Sequence, residues 1–141
     1  MTRFVMAVAA AHTAVVIAHG AAHVGLGVLA SPAESVFIAL CIYLAPAAAG
    51  LIAWRARGPG WARAAAALLS ASLAGSLLFG LHHHFVAISS DHVGHLPPGG
   101  WRLVFQLTAV LAALVDAVGV VGGLVSLRAS ALQSQDGARR G

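Results

Sequence analysis

Cysteine occurs once, at Cys41, lysine not at all, and only four of the 141 residues are acidic. A single thiol excludes an internal disulfide and any cluster of thiolate ligands. Glu34 is the sole glutamate, so the paired glutamates of a ferritin-like di-iron site are missing. Carboxylates this sparse also exclude a calcium or magnesium cage, which needs many hard oxygen ligands. Charged residues of both signs make up 9% of the chain against 60% hydrophobic ones, too few to cover a water-soluble domain of this size. No nucleotide-binding or hydrolase motif is present.

What is there is long apolar sequence. Four stretches, about 4–29, 36–54, 61–88 and 101–127, match the ~20 residues a helix needs to cross ~30 Å of hydrocarbon. The fourth contains Asp116, whose insertion penalty of about 2.5–3.5 kcal/mol is outweighed by its many Leu, Val and Phe residues at roughly 0.3–0.6 kcal/mol each. Breaker residues separate the stretches: Pro32 in the turn 30–35, Arg-Gly-Pro-Gly at 57–60, and Pro97-Pro98-Gly99-Gly100 closing the loop 89–100. The sequence therefore predicts an all-α integral membrane four-helix bundle, one transmembrane domain over 1–141, with 129–141 as a short, polar, disordered cytoplasmic tail. An apolar run continuing through Val15, Val16 and Ile17 to Leu29 fits a retained helix better than a cleaved signal peptide.

The arginines set the expected orientation. With the N-terminus cytoplasmic, Arg3, Arg55, Arg57, Arg63, Arg128, Arg139 and Arg140 lie inside and only Arg102 outside, which is the positive-inside pattern. The expectation is N-in/C-in, in the cell (inner) membrane of a bacterium, with the loop 89–100 on the outer face. Arginines placed beside spans are explained by topology and anionic lipid, so the partner they indicate is the lipid bilayer and not nucleic acid. A homo-oligomer or a larger membrane complex is a further expected setting.

All eight histidines fall in two windows: His12, His19 and His23 in the first stretch, and His82, His83, His84, His92 and His95 around the end of the third. At ~100° and 1.5 Å per residue, the first three form one stripe within about 40°, with His19 ~10 Å beyond His12 and His23 ~6 Å further. His19 and His23 have the i, i+4 spacing that brings two imidazoles to one metal ion. His82 lies ~28 Å beyond Arg63, at the same level as His23, and Asp91, His92 and His95 follow in the loop. These eight residues, His19, His23, His82, His83, His84, Asp91, His92 and His95, are the expected metal-site pool, with Asp91 as a ligand or as a carboxylate that orients an imidazole. Only some of the consecutive His82, His83 and His84 can face the bundle, because neighbours on a helix diverge by ~100°.

Imidazoles without thiolates suit zinc, copper or iron, so a transition metal is the expected cofactor. A haem b held by one imidazole on each side of the iron, in an electron-transfer subunit, is the first alternative. The second is a non-catalytic accessory or scaffold protein whose histidines form interhelical hydrogen bonds of ~0.6 kcal/mol each. Separately, His12 and Asp116 both fall near mid-membrane and are each other's expected partners, as a proton relay or as a structural contact. Pro46 should kink the second helix and free a carbonyl, and Gly119 with Gly123 predicts a close helix contact. The sequence assigns no reaction.

Overall fold

The computed structural model describes residues 1–140 and is all-helical within them. Its helices are α1 (Thr2–Leu26), α2 (Pro32–Arg55), α3 (Pro59–Val86) and α4 (Trp101–Arg140). All four are long and apolar enough to cross a membrane. α1 packs on α2 and α4, and α3 packs on the same two, so α1 and α3 face each other across the bundle with fewer contacts.

Local chemistry sets the helix ends. α1 stops at Leu26, not Leu29, because Gly27 turns left-handed (φ 68°) and its N–H donates to Val24 O at 3.1 Å. The N–H of Val28 then donates back to His23 O at 3.0 Å, which folds the chain over the end of the helix. α2 begins at Pro32, ahead of the expected Val36. There Ser31 and Glu34 form a reciprocal cap, with Ser31 N–H donating to Glu34 Oε2 at 2.7 Å. At the other end of the chain, the expected disordered tail is replaced by continuous helix from Trp101 to Arg140. Residues 129–136 hold no proline or glycine, and Arg63 Nη2 ties them down by donating to Ser130 O at 2.8 Å. Gly141 lies outside the described residues.

Two segments widen to π-helix, Ile38–Leu44 in α2 and His82–Val86 at the end of α3. The first lies just before Pro46, whose missing N–H interrupts the α-helical ladder.

The interior has two apolar clusters. Val5, Val8, Ala66, Leu69 and Leu73 fill the half near the arginines; Ala22, Leu96, Phe105 and Ala109 fill the half near the histidines. Gly119 and Gly123 both face α3, where a Cβ would meet the side chains of Leu73 and Ser70. The GxxxG pair thus serves a contact inside the bundle. It also fixes an antiparallel register in which Asp116 stands level with Ser76. Large apolar side chains such as Val24, Trp54, Leu78 and Val121 cover the outside of the bundle.

Candidate metal centre

Three of the expected ligands meet. His19 and His23 on α1 and His84 on α3 each place a ring nitrogen within 4.8 Å of the other two. The Nε2 atoms of His19 and His84 are 3.1 Å apart. Four-coordinate zinc at 2.0–2.1 Å from each nitrogen would put ligands about 3.3–3.4 Å from one another. One pair already has that spacing, and the widest gap closes with a side-chain rotation of roughly 1.4 Å.

The protons on these rings follow from their other nitrogens. His23 Nδ1–H donates to Val28 O at 2.9 Å, a carbonyl delivered by the turn at Gly27. His84 Nδ1–H donates to Asp91 O at 3.1 Å, in a loop held against α3 by the Val93 N–H bond to His84 O at 3.0 Å. The Thr108 hydroxyl donates to Val104 O at 2.7 Å, so its oxygen accepts from His19 Nδ1–H at 2.9 Å. With the proton assigned to Nδ1 on each ring, all three rings have an acceptor there and keep a lone pair on Nε2. The same 3.1 Å contact between the Nε2 atoms of His19 and His84 is a hydrogen bond when one of the two rings carries its proton on Nε2, and both Nε2 atoms are free to hold a cation when neither does. The pattern of an imidazole whose other N–H is anchored is the one metal-bound histidines show.

Phe105, fully buried, packs against all three rings at centroid distances of 4.6, 4.7 and 5.1 Å. His84 is buried whereas His82 is exposed and His83 half-buried. Within the π-turn that ends α3, only one of the three consecutive rings reaches the interior. His83 instead packs on Phe79 at 4.2 Å, with Nδ1 3.7 Å from Glu34 Oε1. His92 and His95 pair with each other at 4.7 Å in the loop. Asp91 contributes its backbone carbonyl, and its carboxylate stays 3.6 Å from His84 Nδ1. Of the eight expected ligands, His82, His83, His92 and His95 are thus not brought into the cluster, and Asp91 flanks it.

Sequence reasoning missed Thr108, Phe105 and the carbonyls of Val28 and Asp91. Thr108 was detectable, being the only hydroxyl between Trp101 and Val125 in an otherwise apolar helix. Backbone carbonyls leave no such mark.

The second expected constellation also forms. His12 Nδ1 and Asp116 Oδ1 are 2.7 Å apart, and both side chains are buried. His12 Nε2–H donates to Ile42 O at 2.8 Å. Ile42 is the residue four before Pro46, so its carbonyl lacks the usual helical donor, and His12 supplies one. Since that carbonyl only accepts, Nε2 must carry a proton, and one further proton is shared between Nδ1 and Oδ1. The pair is net neutral wherever that proton sits.

A cavity of about 390 Å³ joins the two places. His19, His23 and His84 line one end and Asp116 the other, with Ile42, Leu77 and Ala113 on the walls. In comparisons with known protein families, curated proteins and solved structures, nothing matches this chain. The site must therefore be interpreted from its own geometry.

Proposed function

We propose that this is a four-span inner-membrane protein, N-in/C-in, that binds one transition-metal ion through His19, His23 and His84 at its outer face. The observation that carries the reading is the convergence of the three rings to within 4.8 Å, each with its Nδ1 held by Thr108, Val28 or Asp91. The arginine asymmetry supports the orientation, and the apolar exterior supports contact with lipid along all four helices. Three protein ligands beside an open cavity make a site with a free coordination position, the arrangement of exchanging or catalytic metals and not of closed structural ones. Zinc, copper and iron are the ions whose preferences suit three imidazoles.

The test is metal analysis of protein purified in detergent and loaded separately with each ion. One ion per chain is expected, lost in the His19→Ala/His23→Ala variant and retained in His82→Ala. Equal metal content in the double variant and the wild type would overturn the assignment. Labelling of a cysteine introduced at Ser90 from the outside, and not of one at Arg57, checks the orientation.

A further inference from the structure

The end of the cavity away from the three histidines holds polar atoms without partners. Asp116 is 1% exposed and spends Oδ1 on His12; Oδ2 has no hydrogen bond among the described residues, and the side chain lines the cavity. Ser76, 6% exposed, lines the same cavity, and its hydroxyl also has no partner among the described residues. The register fixed by Gly119 against Leu73 and Gly123 against Ser70 puts these two side chains at one level on facing helices. A carboxylate oxygen that faces a cavity without a protein donor takes its hydrogen bond from whatever occupies that space. The charge around the cavity defines what that is. Glu34, Asp91 and Asp116 line it, and no arginine does. The walls beside the carboxylate are Ile42, Leu77, Ala112 and Ala113, suited to an aliphatic body.

We propose that this floor is a second binding site, for the ammonium group of a small aliphatic amine, with Asp116 Oδ2 and Ser76 Oγ accepting its N–H bonds. The site stands apart from the metal reading, since His19 lies ~10 Å along α1 from His12. Proton balance is set by the His12–Asp116 pair. An alkylammonium brings one positive charge into a neutral site, and burying it uncompensated is unfavourable. One proton therefore leaves to water for each amine bound. The proton left behind is shared among the amine nitrogen, Asp116 and His12 Nδ1, while His12 Nε2 keeps its own on Ile42. The other titratable groups on the cavity are Tyr43 on α2, whose hydroxyl is committed to Val16 O at 2.9 Å, and at the far end the three metal-site histidines with Glu34, His83 and Asp91.

The experiment is calorimetric titration of the detergent-purified full chain with n-butylammonium chloride, n-butanol serving as the uncharged control of equal length. Expected is one butylammonium per chain, at least about tenfold tighter than butanol, because a charge-assisted hydrogen bond is worth roughly twice a neutral one. Release of one proton makes affinity rise with pH, by up to about tenfold per unit over the range in which the free pair holds its shared proton. Asp116→Asn should weaken butylammonium by about tenfold or more and butanol little. Should that variant fold poorly, Ser76→Ala (severalfold weaker) and Ala113→Leu, which narrows the floor, test the same site. The His19→Ala/His23→Ala variant should bind butylammonium as the wild type does, so failure of the metal reading leaves this one standing. Equal affinity for butanol and butylammonium, binding independent of pH, or unchanged binding in both Ser76→Ala and Ala113→Leu would each overturn it.

Discussion

Replacing either member of the His12–Asp116 pair has consequences that the proton count ranks in advance. In Asp116→Asn the amide N–H can donate to His12 Nδ1 at the 2.7 Å position the carboxylate oxygen now holds, while Nε2–H stays on Ile42. One neutral hydrogen bond replaces a shared proton, and the expected loss is about 1 kcal/mol or less. Asp116→Ala leaves Nδ1 without a partner in the interior, costing about 1–3 kcal/mol. His12→Ala is worst. It abandons a buried carboxylate, strips the Ile42 carbonyl of its donor and opens a ring-sized void, for about 3–5 kcal/mol in total. Reversible unfolding in mixed detergent micelles measures all three, and the double variant His12→Ala/Asp116→Ala completes a cycle with an expected coupling of about 1–3 kcal/mol. A coupling below ~0.5 kcal/mol, or Asp116→Asn as damaging as His12→Ala, would refute the shared-proton account.

Other outcomes follow from the same contacts. Thr108→Val keeps the shape but removes the acceptor of His19 Nδ1–H, so metal affinity should fall about 10–100-fold with little loss of helix content, read by competition with a chelating dye. His92→Ala and His95→Ala, outside the cluster, should leave metal stoichiometry unchanged. Gly27→Ala places a side chain at φ 68°, costing about 1–2 kcal/mol and displacing the Val28 carbonyl that orients His23, so stability and metal affinity should drop together. Pro46→Ala should stabilise by well under the ~3 kcal/mol that the change gives in a helix interior, because the new N–H competes with His12 for Ile42 O.

The number of helices, their apolarity, the His19–His23 pair and the His12–Asp116 contact were legible because each depends on a fixed rise and rotation per residue. Which of His82, His83 and His84 turns inward was not, since it depends on a π-turn that no α-helical wheel contains. The loop histidines misled for a different reason. His92 and His95 are close in sequence to the site, but the loop spends its backbone on His84 and leaves those two rings paired with each other. Pro46 was visible as the source of a free carbonyl; that His12 would take it up depends on how α1 and α2 face each other, which is a tertiary fact. The helix runs on past Arg128 through the polar stretch, because polar residues such as Gln, Ser and Arg are compatible with a helix that is already nucleated.

The three imidazoles come from α1 and α3, helices that sit diagonally and share fewer contacts than either does with its neighbours α2 and α4. An ion held there would act as a cross-brace across a diagonal of the bundle, and at a thousandfold excess over its dissociation constant it would add about 4 kcal/mol to the stability of the assembled bundle. The fastening is also the last that synthesis can complete. His19 and His23 emerge first, His84 waits for the third helix, the Asp91 carbonyl for the loop after it, and the Thr108 hydroxyl for the fourth. Tight metal binding is therefore a signature of the finished protein, and a chain cut short before α4 should hold its ion only loosely.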